Sequence, residues 1–174
     1  MQQFISTLLQ AIQKIGQHIK PIRNFYKILE VKTMNFLPLN GSNVALQLNQ
    51  ILASYDVNNF INIGGNSDIN FGITKTTPSI LKINCSVNFL GLQNPIFIGI
   101  ERSGPSGTFS KKYIVNPVFD TVSSTWNASV SFCEIYQALN GDNIGIQLYD
   151  VYNNNSQPFD ITDGCVELEL KNLM

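Results

Sequence analysis

Histidine is almost missing from this chain: His18 is the one copy in 174 residues. A Ser-His-Asp or Cys-His relay would have to use it. It falls in an N-terminal stretch set apart from the strand-rich remainder, and a helix-surface histidine is the better reading. A metal enzyme built inside a β-barrel needs several converging histidines, and the remainder holds none. Cysteine is scarce too. Cys85, Cys133 and Cys165 are too few and too scattered for a disulfide framework, and none has the paired spacing of a zinc site. Charge is thin, at 13% Asp, Glu, Lys and Arg, against about 25% in an ordinary soluble domain. No apolar run nears the ~20 residues that cross a bilayer. The first residues lack a positive segment before Phe4, and Gln10, Gln13 and Lys14 interrupt any signal-peptide core. Cytoplasmic synthesis with reduced thiols is expected.

Motifs that would carry chemistry fail on their neighbours. Gly104-Pro-Ser-Gly107 has no Lys-Ser/Thr in place and no following helix, so it reads as a turn rather than a phosphate loop. Asp160-Ile-Thr-Asp163, even with Asp150, lacks the alternating oxygen ligands of a calcium loop. Glu167 and Glu169 share one strand face, about 7 Å apart by strand rise. Paired carboxylates can cleave glycosides, but two glutamates on a wet face explain them better. Asn40, Asn84, Asn127 and Asn154 open Asn-X-Ser matches, which chance supplies in a chain so rich in Asn and Ser. No catalytic residue, metal ligand or cofactor is assigned, and the chain is not expected to be an enzyme.

What is present divides in two. Residues 1–32 carry Lys14, Lys20, Arg23, Lys27 and Lys32 against Glu30 alone, while the rest of the chain is net acidic. Phe4, Ile5, Leu8, Leu9, Ile12, Ile15 and Ile19 recur at spacings of three and four, predicting an amphipathic helix that Pro21 kinks or ends. Residues 22–29 are expected to resume it as a second short helix. Such a stripe must bury against something. Phe4, Leu8, Ile12, Ile15 and Ile19 are therefore the expected anchor, with Lys14, Lys20, Arg23 and Lys27 steering it toward an acidic protein, nucleic acid without sequence preference, or lipid. An ordinary helix with a basic wet face fits equally well.

From residue 35 the period becomes two. Leu81, Ile83, Cys85, Val87 and Phe89 alternate with polar residues, as do Trp126, Ala128, Val130 and Phe132. Shorter alternations centre on Phe71, Ile98, Ile146 and Leu168, with further strands at 60–63 and at 113–122, the latter broken by Pro117. Eight to ten strands, punctuated by Gly, Pro and Asn and lacking crossover helices, predict antiparallel sheets in a sandwich. The expected organisation is a helical arm over 1–34 and an all-β domain over 35–174. By parity Cys85 belongs to the core, while Cys133 and Cys165 face either a neighbour or each other.

Three stretches resemble the TNF/C1q-like jelly roll and, more loosely, single jelly rolls of viral capsids and spikes. Leu81–Phe89 followed by Gly91 resembles the family's long inner strand. Leu139-Asn-Gly-Asp-Asn-Ile-Gly-Ile146 is similar to its Leu-x-x-Gly-Asp-x-Ile turn, and Cys165–Leu170 to its closing strand. The family's Gly-x-Tyr before the inner strand is absent, and a basic segment stands where a stalk would be. The resemblance implies an antiparallel jelly-roll sandwich and a homo-oligomer, a trimer first and a pentamer second. It also implies that apolar second faces pack on a neighbouring subunit. Phe97, Phe119, Tyr149 and Tyr152 are the candidates for that contact, scattered surface aromatics being the plainer account.

The expected function is therefore structural: a virion spike, head-fibre or vertex component, as in a bacteriophage, meeting other capsid proteins, an internal membrane or a host receptor. The alternative is a trimeric knob binding a receptor or glycan. Fold-level analogy alone says little about function.

Overall fold

Leu81, Ile83, Cys85, Val87 and Phe89 are each no more than 2% exposed, while Lys82, Asn84, Ser86 and Asn88 between them stay accessible. That alternation, repeated along the chain, gives each strand one apolar face and drives two sheets together. The computed structural model describes residues 25–36, 43–56, 58–64, 68–150 and 158–173. Among these are thirteen strands: β1 (Phe25–Val31), β2 (Met34–Phe36), β3 (Asn43–Ala45), β4 (Leu48–Tyr55), β5 (Ile61–Ile63), β6 (Asn70–Ile73), β7 (Ser79–Leu90), β8 (Ile96–Ser103), β9 (Phe109–Val115), β10 (Val118–Asp120), β11 (Thr125–Ala138), β12 (Asn143–Asp150) and β13 (Phe159–Asn172).

They form two sheets in which every pairing is antiparallel. The long sheet runs β10-β11-β7-β13-β1-β4, with β2 beside β13. The short sheet runs β5-β6-β12-β8-β9, with β3 beside β12. Leu29, Leu81, Ile83, Val166 and Leu168 from the long sheet meet Ile98, Ile100, Ile144 and Ile146 from the short one in a single core. This is an all-β antiparallel sandwich of jelly-roll type. The two longest alternations expected from sequence are the spine of the long sheet, extended to the full β7 and β11, which pair over twelve positions. Asn116-Pro117 separates β9 from β10, as a residue without an N–H must.

The expected second helix is not there. Residues 25–31 are a strand, paired on one side with β13 and on the other with β4. Ile22, Phe25, Tyr26 and Leu29 suit a three-four spacing, but Phe25, Lys27, Leu29 and Val31 are the buried set, at a spacing of two. Lys27 disguised that pattern. Its residue is 6% exposed, its Nζ donates to Asn59 Oδ1 at 2.8 Å, and Asp56 Oδ2 lies 3.7 Å away. Lys27 is thus an internal ion-pair partner, not a steering charge, and 25–34 belong to the β-domain rather than to an arm. Phe4, Leu8, Ile12, Lys14, Ile15, Ile19, Lys20 and Arg23, with the first expected helix, lie outside the described residues.

The Gly-Asp turn between β11 and β12 is a latch. Asp142 is fully buried and accepts hydrogen bonds from Leu139 N at 2.8 Å, Ser106 N at 2.9 Å and Ser106 Oγ at 2.5 Å. One carboxylate thereby ties the β8–β9 loop to the β11–β12 turn. Gly104 closes the junction with φ of +142°, and a Cβ there would stand 2.7 Å from Asp142 Cα. Only glycine fits.

Candidate functional site

The outward face of the long sheet is set by register. One cross-strand row reads Ile135, Lys82, Glu169, Tyr26, Tyr55. The next reads Cys133, Asn84, Glu167, Ile28, Ala53, and the third Ser131, Ser86, Cys165, Glu30, Gln50. The three glutamates on this face have polar partners. Glu30 Oε2 accepts from Asn49 Nδ2 at 2.7 Å and Gln50 Nε2 at 2.8 Å. Glu167 Oε2 accepts from Asn84 Nδ2 at 3.0 Å, and Lys171 lies 3.3 Å from Glu169. At the β4 edge the Tyr26 and Tyr55 rings stack at 6.0 Å.

The opposite edge is also apolar. Phe119 on β10 tilts against Trp126 at 5.1 Å. Val118 beside it is 69% exposed, and Val122 at the hairpin tip 94%. The tip is held by Asp120, whose carboxylate accepts from Val122 N at 2.9 Å and Ser123 Oγ at 2.6 Å. The Ser123 hydroxyl first, then backbone N–H groups, hold that carboxyl below its usual range.

Ten large hydrophobic side chains are exposed among the described residues, and nine belong to the long sheet or to segments joined directly to it. Ile114, on β9, is the exception. The outward face of the short sheet is polar at one end, with Asn70, Glu101, Ser110, Asn143 and Gln147 along it, and carries Phe97, Ile114 and Tyr149 toward the other.

The expected contact residues divide between these surfaces. Phe119 lies on the apolar edge of the long sheet. Phe97 is half-buried on the outward face of the short sheet, paired in register with Tyr149. Tyr149 is already 4% exposed in the single chain. Its hydroxyl donates to Glu101 Oε1 at 2.5 Å, and Lys112 Nζ sits 3.9 Å over its ring. It therefore has almost no surface to give to a neighbour, which corrects its assignment as a contact residue. Tyr152 lies outside the described residues. Tyr26, Ile51, Tyr55 and Ile135 were missed. Ile135 did carry a signal: it is an isoleucine at the polar parity of an alternating strand.

The thiols are apart. Cys85 is core, and burial first, with nearby Cys165 second, pushes it up to about 12. Cys133 and Cys165 share the outward face, but β7 lies between their strands. Two strand spacings are about 10 Å, too far for a disulfide within one chain. Among the described residues no group of His, Cys, Asp and Glu is placed to hold a metal.

No protein-family model and no curated protein matches the chain. Solved structures do. The crystal structure of murine APRIL at pH 8.5 aligns with a TM-score of 0.51 and 11% identity over 87% of this chain and 100% of that one. A second murine APRIL structure, at pH 8.0, gives 0.50 and 10% over 83% and 98%. The globular domain of zebrafish complement 1qA protein gives 0.49 and 9% over 87% and 98%. At such identities the likeness is one of fold. The chain has a TNF-like jelly-roll fold, shared with murine APRIL over most of its length.

Proposed function

We propose that this chain is a structural protein of a virion, a spike, head-fibre or vertex component that assembles as a homotrimer through the outward face and edges of its long sheet. The observation that carries the assembly is the one-sided distribution of exposed apolar side chains. Tyr26, Ile51, Leu52 and Tyr55 crowd one edge and Val118, Phe119 and Val122 the other. Burying a large side chain contributes about 1.5–3 kcal/mol, so a contact covering several of them outweighs the few exposed ion pairs nearby. Apolar groups on opposite edges of one sheet suit a head-to-tail contact that closes into a ring, and a ring leaves neither edge strand open. The number three comes from the resemblance to TNF/C1q-like jelly rolls. The thin charge and the basic segment before β1 support docking on a shell.

Light scattering tests the assembly. The mass should be three times 19.4 kDa, and Ile135→Asp combined with Tyr55→Asp should give a folded monomer, both side chains being at least half exposed. A clean wild-type monomer at micromolar concentration overturns the assembly. Purified particles should contain the chain in multiples of three, and its absence from them overturns the virion assignment.

A further inference from the structure

Gly145 has no structural reason to be glycine. It stands inside β12, its φ is not in the left-handed region, and a Cβ built on it meets nothing within 4 Å. Contrast Gly99 on the neighbouring strand, where a Cβ would fall 2.8 Å from the Tyr149 ring. A glycine inside a strand weakens it, and often marks a place where a ligand comes close to the backbone. The space over Gly145 is the floor of an open trough of about 300 Å³ on the outward face of the short sheet, at the small end of ligand sites (roughly 300–1,000 Å³).

The trough is walled by groups that hydrogen-bond without carrying much charge. Register places Asn70 on one side of Gly145 and Glu101, then Ser110, on the other. Asn70 and Glu101 are thus two strand spacings, about 10 Å, apart, which leaves the width of one sugar ring and its hydrogen bonds. Asn143 and Gln147 flank the floor along β12, while the ring of Phe109 at the rim is turned to the opposite face, against Tyr136 at 5.2 Å. Glu101 is held in place by the Tyr149 hydroxyl. The nearby cations are turned to other tasks: Arg102 donates to Gln137 O and Ser106 O at 3.0 and 3.1 Å, and Lys112 covers Tyr149. A site with amides, a hydroxyl and one fixed carboxylate above a bare glycine floor matches the hydroxyls of a sugar ring laid on it. Its carboxylate disfavours anionic ligands.

We propose that this trough binds a neutral carbohydrate, with Gly145 kept small to admit the ring. This function is additional to assembly and stands on the sheet opposite the assembly face, so neither depends on the other. The test is saturation-transfer NMR on the full chain with lactose, N-acetyllactosamine, maltotriose and chitotriose, 3′-sialyllactose as the acidic comparison and an extended uncharged peptide as the polypeptide comparison. At least one neutral sugar should give transfer. Gly145→Val should reduce its binding at least tenfold with the thermal midpoint and the oligomer mass unchanged, and Glu101→Gln should weaken it with the fold intact. The proposal is overturned by the absence of transfer to any neutral sugar at millimolar concentration, by transfer to sialyllactose or the peptide alone, or by undiminished binding in folded Gly145→Val.

Discussion

Asp142 concentrates three hydrogen bonds on one buried carboxylate. Burial pulls its pKa up, but the donors at Leu139 and Ser106, with the charge of Arg102, outweigh that and leave it below the usual range. Its folded pKa is below the ~3.9 of an unfolded aspartate, so its contribution to stability is complete above about pH 4 and is lost as pH falls through the depressed value. Asp142→Ala should cost about 1–3 kcal/mol at neutral pH, since it strands backbone N–H groups in the interior. Urea titrations at pH 7 and pH 3 check this. The variant's deficit should shrink in acid, where the native carboxylate also begins to protonate. This residue was half legible in the sequence: its motif resembles a family turn, but which groups it ties appears only when the β8–β9 loop is brought beside it. Cys85 was fully legible, because parity alone places it in the core.

At the scale of elements, legibility follows how cleanly a strand alternates. β7 and β11 bury one parity, as do β12 over 144–148 and β13 over 166–170, and these stretches were readable. β1 was not, because its inward set contains Lys27. β4 was not either: it is an edge strand, mostly exposed, and its register with β1 shifts at Ile28/Leu29 and again at Glu30/Val31, which erases any period of two. The consequence is a sharp boundary for truncation. Removing residues 1–24 should leave the thermal midpoint of the β-domain nearly unchanged. Removing 1–30 takes away nearly all of β1 and strands Asp56 without Lys27, and breaking a buried pair costs about 3–5 kcal/mol before the lost strand is counted. The longer truncation should therefore be aggregated or unfolded by circular dichroism. A folded domain lacking 1–30 would mean that β1 is dispensable.

At the scale of the molecule the two outward faces are unlike, and that contrast was only faintly legible. Composition indicated a weakly charged surface but not which side was apolar, because the exposed residues come from strands far apart in sequence. The thiols report on this asymmetry. Cys133 is exposed and should react first with a maleimide. Cys165 should lag, since burial, followed by Glu167, Asp163 and Glu30, raises its pKa. Cys85 should react only after unfolding. If the long sheet is the assembly face, Cys133 labelling should slow severalfold in the trimer relative to the Ile135→Asp, Tyr55→Asp monomer. Mass spectrometry of timed samples reads both effects, and equal rates in trimer and monomer would move the contact off this face.

β13 is the last strand in sequence and holds the middle of the long sheet, between β7 and β1. A nascent chain emerges at about 5–20 residues per second, so β1 and β7 leave the ribosome several seconds before the strand that must lie between them. Until then their apolar faces have no lasting partner, and contacts this distant in sequence are slow to close. The domain is thereby built to close its long sheet only once β13 is out, rather than strand by strand. In a crowded polysome, neighbouring chains would pass through that open, sticky stage together, already close to the copies they are to join.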